Sequence, residues 1–450
     1  MSNEFGIVVR DRAARARRAP ALWLWLALPA LLAGGCGTST TDPAPRPVTA
    51  HLVGSSGRTV TWTTDQPTRG AVRYGFVSGQ PDRLAYPAAA GGADRSYTTA
   101  HSVPLLSVPE AGATVYLQFA DATADGRLYV AAEETLAFGP LPAVAPCLAF
   151  TTFDVQFGDA HLLRLPTAGA TVAIDGGNPY EGANGEAAPR HVMRWLDDRG
   201  ITRLDVALAT HMHADHVGGL LNGSGGDGQG LLASYEIGVY LDVAAVTGNA
   251  YNQIAVRNLM ASKSVPVLVI APGMDQATAP AALGWDPLVD VMVLNAGAQA
   301  EWAGGDLNND SVVLKVSYGD VDLITGGDCL VAGEERILSL YRGALDNVEY
   351  FKSSHHGRAN ANSQAYLQAI APRVAVIPVA FVAYNEGPDQ GALDTAQTLG
   401  RLAALRADVF RFDAAEPLAR PQDNRTFWHT TFVTDGASYE IRIEPSAWGL

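Results

Sequence analysis

Two patterns of apolar and polar positions divide the chain. From residue 48 to residue 140, short alternations are broken by turn residues. Thr59-Val60-Thr61-Trp62-Thr63 alternates, which predicts a strand, with the choice of buried face open. Residues 70–75 read as a second strand after a turn at Pro67-Thr68-Arg69, and residues 101–106, 114–119 and 127–131 as further strands. Strands at this spacing with little helical period predict a small all-β sandwich over residues 49–140. Trp62 is expected in its core, and the stretch carries no catalytic constellation.

From residue 147 the period changes. Strands are predicted over residues 148–155, 158–165, 171–174, 204–208, 265–270, 289–294, 311–316, 321–325, 374–379, 430–434 and 438–443. Helices are predicted over residues 190–199, 251–262, 333–341 and 395–405. Strands and helices alternating in both halves predict an α/β domain over residues 147–450. Residues 141–146, Leu-Pro-Ala-Val-Ala-Pro, read as the linker between the two.

The first 48 residues follow neither pattern. A basic stretch over residues 10–18 precedes an apolar segment over residues 21–32 that is short for a bilayer span, as in an export signal. It ends Leu32-Ala33-Gly34-Gly35-Cys36, which resembles a bacterial lipobox whose cysteine is acylated. Residues 1–36 are therefore expected to be a lipoprotein-type signal, and the Ser/Thr/Pro-rich residues 37–48 an extended linker. The protein is expected at the cell envelope, tethered through Cys36, or otherwise secreted.

Composition narrows the partners. The 450 residues are 48% hydrophobic, enough for two or three domains with a sizeable core. Net charge is −15; residues 1–35 hold five arginines against Glu4 and Asp11, or +3, so the rest carries −18. Such a surface repels polyanions, which argues against extended nucleic-acid binding and leaves a small positive cleft built on metal ions. After Cys36 only Cys147 and Cys329 remain, too few for a disulfide framework. No protein partner is inferable.

The chemistry concentrates at His211-Met212-His213-Ala214-Asp215-His216, directly after the apolar residues 204–208. Three of the chain's 10 histidines and a carboxylate lie within six residues there. Neutral imidazole and carboxylate suit borderline divalent metals, with zinc expected first and manganese second. In a loop after a strand, His211 and His213 can grip one ion, and Asp215 and His216 a second. Gly218-Gly219 would let the following helix begin close by. Candidate distant partners are an acidic turn after a strand, Ile324-Thr325-Gly326-Gly327-Asp328, and the histidine pair in Lys352-Ser353-Ser354-His355-His356-Gly357-Arg358. On an extended backbone, adjacent side chains point oppositely, so one of the histidine pair would bind metal and the other face substrate. His356 is the expected ligand, and His355 the expected acid or phosphate contact. Asp159 and Asp175 read as groups that orient histidines, with plain turn roles as the alternative.

The H-x-H-x-D-H spacing resembles the signature of the metallo-β-lactamase superfamily. Further pieces resemble the extracellular domain of the ComEC competence proteins: residues 153–160, Ala173-Ile174-Asp175-Gly176-Gly177, Asn308-Asn309-Asp310-Ser311, residues 325–328 and His355-His356-Gly357. Residues 60–70 resemble fibronectin type III-like modules. The resemblance implies an αββα metallo-β-lactamase sandwich after the all-β domain. It implies that Asp328 bridges two metals and that Asn308 and Asn309 stand where many relatives place another histidine. The chain departs from the branch at Gln156-Phe157, where Gly-Gln is usual, and at Glu386-Gly387-Pro388, where the branch has Gly-His-Pro. One or two metal ions are expected. The function implied is a metal-dependent hydrolase using metal-bound hydroxide, acting as a phosphodiesterase or nuclease on a small-molecule or phosphodiester substrate. Two other readings stand beside it: hydrolysis of a lactone, amide or thioester, and a non-catalytic envelope-binding lipoprotein.

Overall fold

The apolar strands after residue 147 meet face to face because their inward positions are almost all Val, Leu, Ile or Phe. The computed structural model describes residues 47–155, 158–179, 188–222, 229–302, 305–378, 388–412 and 428–445. The residues expected to form an export signal, Cys36 and nearly all of the expected linker lie outside the described residues, as do Gln156-Phe157 and Glu386-Gly387.

Among the described residues the strands form two sheets. In the first, Thr171–Gly176, Arg203–Leu208, Glu236–Val243 and Val267–Ile270 run parallel. Ala160–Arg164, Leu148–Thr152, Trp428–Thr434 and Tyr439–Pro445 follow as antiparallel neighbours. The second sheet runs Val289–Asn295, Val313–Tyr318, Val321–Thr325, Tyr350–Lys352, Val374–Ile377, Asp408–Arg411. Phe150, Leu163, Val172, Ile174, Val206 and Leu241 from one sheet share a core with Val291, Val293, Leu314, Val316, Val374 and Val376 from the other. Burying each such side chain stabilises the fold by roughly 1.5–3 kcal/mol. The outer faces are covered by helices. Ala188–Asp197, Ala214–Leu221 and Ala250–Ser262 supply Val192, Val217 and Val256 against the first sheet. Val331–Tyr341, Gln364–Ile370 and Pro388–Ala404 supply Ile337, Leu367 and Leu402 against the second. The result is a four-layered αββα sandwich.

The strands before residue 140 have their own core of Val60, Trp62, Val72, Tyr74, Val103, Leu117 and Phe119. They also extend the first sheet: Arg83–Ala85 pairs antiparallel with Tyr439–Pro445, so residues 47–450 form one compact unit. The turn expected at Pro67 is instead a bend inside a single strand, Thr59–Gly75. Its first part pairs with Thr98–Pro104 and its last part with Ala113–Ala122, with a register shift between Thr63 and Thr68. Proline is tolerated there because the ladder is already interrupted.

A second link to the sandwich is the short turn Ala90–Arg95, whose Arg95 guanidinium donates to the carbonyls of Val348 and Ala371 and lies 3.4 Å from Glu349. Burial pushes the Glu349 carboxyl up to about 7 although it accepts the Asp322 N–H and faces Arg95. A carboxyl with a raised folded-state value stabilises fully below its unfolded value, and this contribution is lost as pH rises through the folded one. Glu349→Gln is therefore expected to remove a pH-dependent loss of roughly 3 kcal/mol between about pH 4.5 and 7. Urea melts of the two proteins across that range check it; parallel pH profiles would refute it.

Candidate metal centre

Both sheets bring the C-terminal ends of parallel strands to one place, and every sequence-predicted metal residue follows such an end. Strand Thr171–Gly176 ends at a register shift that puts Asp175 at φ 60°. That kink lets its carboxylate accept both the N–H and the hydroxyl of Thr210, each at 2.7 Å. Strand Arg203–Leu208 then releases residues 209–213 as a loop, and helix Ala214–Leu221 begins with His213 at its N-cap. Gly218 and Gly219 thus lie within this helix and not before it. Their role is close approach: a Cβ on Gly219 would collide with the Gly176 carbonyl, and the Gly219 N–H donates to Gly177 at 2.9 Å.

The second sheet contributes Asp328 after Val321–Thr325, and His355 and His356 after Tyr350–Lys352. The extended backbone expected for the histidine pair is not what forms. His355 and His356 have φ of 45° and 54°, followed by Gly357 at 81°. Left-handed non-glycine residues are uncommon and store strain. The tight turn separates the pair nonetheless. His356 points inward and is buried, while His355 keeps some exposure and meets the Asn360 Oδ1 at 2.8 Å through Nδ1.

Four imidazoles surround one carboxylate oxygen. Asp328 Oδ2 is 3.1 Å from His216 Nε2, 3.2 Å from His356 Nε2, and 4.0 Å from the Nε2 atoms of both His211 and His355. His213 joins through His211, Nδ1 to Nε2 at 2.9 Å. Asp215 Oδ2 lies 3.3 Å from His356 Nε2 and 3.8 Å from His216 Nε2. Behind the imidazoles stand two more carboxylates. Asp175 Oδ2 is 2.9 Å from His216 Nδ1, and Asp159 Oδ1 is 3.4 Å from His356 Nδ1. Each leaves the Nε2 side of its histidine facing Asp328.

Asp159, His216, Asp328 and His356 are all buried, and one ligand atom from each lies within 4.8 Å of the others. Two features fit these residues to a cation. His216 Nε2 stands 3.1 Å from Asp328 Oδ2, and the other carboxylate oxygen, Asp328 Oδ1, is buried with no hydrogen-bond partner. Charge agrees. Burial disfavours charge on His216 and His356, yet Asp328 with Asp215 and Asp175 in one case, and Asp328 with Asp159 in the other, raise both well above the usual histidine range. A cation held among these carboxylates would offset the same excess of negative charge. Burial pushes Asp215 up, but His216 and His356 hold it at about 2, and Asp328 is likewise held well below the usual range. Burial lowers both His211 and His355, against the opposing pull of the Asp328 carboxylate.

Several contributors had no role in the sequence reading. Lys352, fully buried, pairs with Asp159 and donates to the Gly327 carbonyl at 2.9 Å. Ser311 Oγ accepts the Asp328 N–H at 2.9 Å and lies 3.4 Å from His211 Nδ1. Lys352 stands three residues before His355, within the stretch singled out for the histidines; a lysine closing an apolar strand was the available signal. Asn308 and Asn309 lie in the turn Leu307–Asp310, both buried, and their Oδ1 atoms have no hydrogen-bond partner. Their loop reaches the histidines through Ser311. Cys329 is buried beside Asp328, and Cys147 and Cys329 are both free thiols.

No protein-family model matches the chain, and no curated protein matches it. Solved structures similar to it include a diphosphatase from the PhnP family, at 9% identity and TM-score 0.28, covering 51% of this chain and 85% of that one. Unliganded yeast PDE1 aligns at 12% identity and TM-score 0.35 over 61% of this chain and 99% of that one. Purple acid phosphatase PPD1 from yellow lupin seeds aligns at 10% identity and TM-score 0.24, over 90% and 73%.

Proposed function

We propose that the chain is a metal-dependent phosphoesterase of the metallo-β-lactamase type, with phosphodiesters as its substrate class. The observation that carries the metal is the convergence of Asp159, His216, Asp328 and His356 on one buried space. The phosphoester bond rests on the resemblance of the Asn-Asp-Ser and His-His-Gly pieces described above. His216, Asp328 and His356 would hold the ion, with His211, His213 and Asp215 placed to hold a second. Bound there, a divalent ion such as zinc would offset charge developing on a phosphoryl group and make a water more acidic. The chain supplies the rest. Asp175 holds the His216 ring through Nδ1 at 2.9 Å, and the Asp159 carboxylate lies 3.4 Å from His356 Nδ1, which leaves both Nε2 atoms facing the ion. His355, partly exposed and braced by Asn360, is placed to give a proton to the leaving oxygen.

Purified protein tested against bis-p-nitrophenyl phosphate, short single-stranded DNA and a lactone panel decides the bond. Turnover of lactones alone would overturn the phosphoester assignment. Absence of bound transition metal, with a melting temperature unmoved by chelator, would overturn the metal as well.

The location proposed is the cell envelope, from the basic and apolar residues 10–32 and Cys36. Cys36→Ser is expected to abolish incorporation of labelled palmitate and release the protein from the membrane fraction. Unchanged labelling would refute the tether.

A further inference from the structure

A second polar site lies where the N-terminal strands face the edge of the second sheet. A cavity of about 500 Å³ is bounded by strands Thr59–Gly75, Ala113–Ala122 and Leu128–Val130 on one side and by Asp408–Arg411 on the other. None of its lining residues belongs to the metal cluster.

The strand pattern explains the space. Along Thr59–Gly75, residues 72 and 74 fill the all-β core with Phe119, while Arg69, Ala71 and Arg73 alternate onto the opposite face. Across the ladder Arg69 stands opposite Ala122, and Ala71 opposite Ala120. The floor is therefore three alanines where a packed interface would carry leucine or valine. Leu84 and Phe410, both buried in the main core, complete the apolar part of the lining.

The polar groups are cationic. Arg69, Arg73 and Arg373 line it together with Asp408, in a chain whose net charge is −15. Arg373 is committed: it pairs with Asp408 at 2.6 Å, donates to the Asp94 carbonyl at 3.1 Å and lies over the Tyr86 ring. Asp408 also accepts the Tyr86 hydroxyl at 3.0 Å. Arg69 is not so served. It is 8% exposed, Nη2 donates to the Arg406 carbonyl and stands 4.0 Å from Asp408, and the buried Nε has no hydrogen-bond partner. Leaving a buried guanidinium donor unmet is costly. Burial and the charge of Arg373 both lower the Arg69 pKa, so an added anion would relieve it.

We propose that this cavity binds a small organic anion, its acidic group against Arg69 and its apolar body on the floor of Ala71, Ala120 and Ala122. A guanidinium fork matches a carboxylate or phosphate edge, and the volume falls in the range of small-molecule sites. Neither inorganic anions nor neutral apolar molecules would use both halves. The site is independent of the metal-centre assignment.

The full chain is titrated calorimetrically with 1-naphthoate, and in parallel with 1-naphthalenemethanol and sodium sulfate. Naphthoate is expected to bind one equivalent and raise the melting temperature, with the alcohol and sulfate at least tenfold weaker. Arg69→Gln is expected to weaken naphthoate at least tenfold. Ala120→Leu, which fills the floor with an apolar group and tests the site even where the arginine variant fails to fold, is expected to block binding. Asp328→Asn should leave it unchanged, which separates this cavity from the metal centre. No binding at millimolar naphthoate, equal binding of the alcohol or of sulfate, or binding that survives Ala120→Leu would each overturn the proposal.

Discussion

Asp328→Asn is expected to lower kcat/KM on a phosphodiester at least 10³-fold, about 4 kcal/mol of transition-state stabilisation, and to strip most bound metal. The reason is positional. Asp328 Oδ2 lies within 4.0 Å of the imidazoles of His211, His216, His355 and His356. The amide keeps the shape of the side chain but removes the negative charge that draws a cation among those rings. Its backbone N–H would still donate to Ser311, so the loop should hold its course. Metal content by mass spectrometry and steady-state kinetics on bis-p-nitrophenyl phosphate measure the two effects. A variant that keeps its metal and turns over within threefold of the parent would remove Asp328 from the site. His355→Ala separates the roles further: it should retain metal and lose rate, because His355 stands at the edge with Asn360 and not within the buried group of four.

The histidine spacing was legible in the sequence because metal ligands have no cheaper explanation. His211 to His216 are contiguous, and a strand-loop-helix junction is visible from the apolar residues 204–208 alone. The α/β class could be read from alternating periods, since inner strands such as Val374–Ile377 are apolar at every position, whereas the αββα layering came from the motif resemblance. What could not be read depended on contacts between distant segments. Asp159 and Lys352 are 193 residues apart, and neither has a local pattern that announces the other. The left-handed turn at His355 and His356 contradicts the propensity of both residues. It is held by its surroundings: the His355 N–H donates to Gly327 at 3.1 Å, and Asn362 binds the Ser354 N–H and carbonyl. The bend at Pro67 was misread as a turn because proline marks either an end or an interrupted ladder, and only the partner strands decide which. The continuation of the first sheet through Arg83–Ala85 was likewise invisible, since three residues carry almost no period.

Lys352→Met is expected to destabilise the protein by about 3–5 kcal/mol, the usual consequence of leaving one member of a buried ion pair alone. Lys352 and Asp159 are both fully buried. Methionine nearly preserves the volume of the lysine, so the loss isolates charge from packing. The ammonium does two things at once. It holds the Asp159 carboxyl well below its usual range against burial, together with His356. It also ties the Asp159 loop to the Gly327 carbonyl, one residue before Asp328. Both sheets' contributions to the metal centre therefore meet at this amine. Removing the carboxylate's charge as well should repair much of the damage: Lys352→Met with Asp159→Asn is expected to be more stable than Lys352→Met alone, with a coupling of several kcal/mol in a double-mutant cycle. Chemical denaturation of the four proteins measures it. Additive single effects would mean that the pair contributes through shape and not through charge. The repaired double variant should still be a poor enzyme, because a neutral amide lacks the charge by which Asp159 raises the basicity of the His356 ring; full activity there would show that Asp159 serves the fold and not the site.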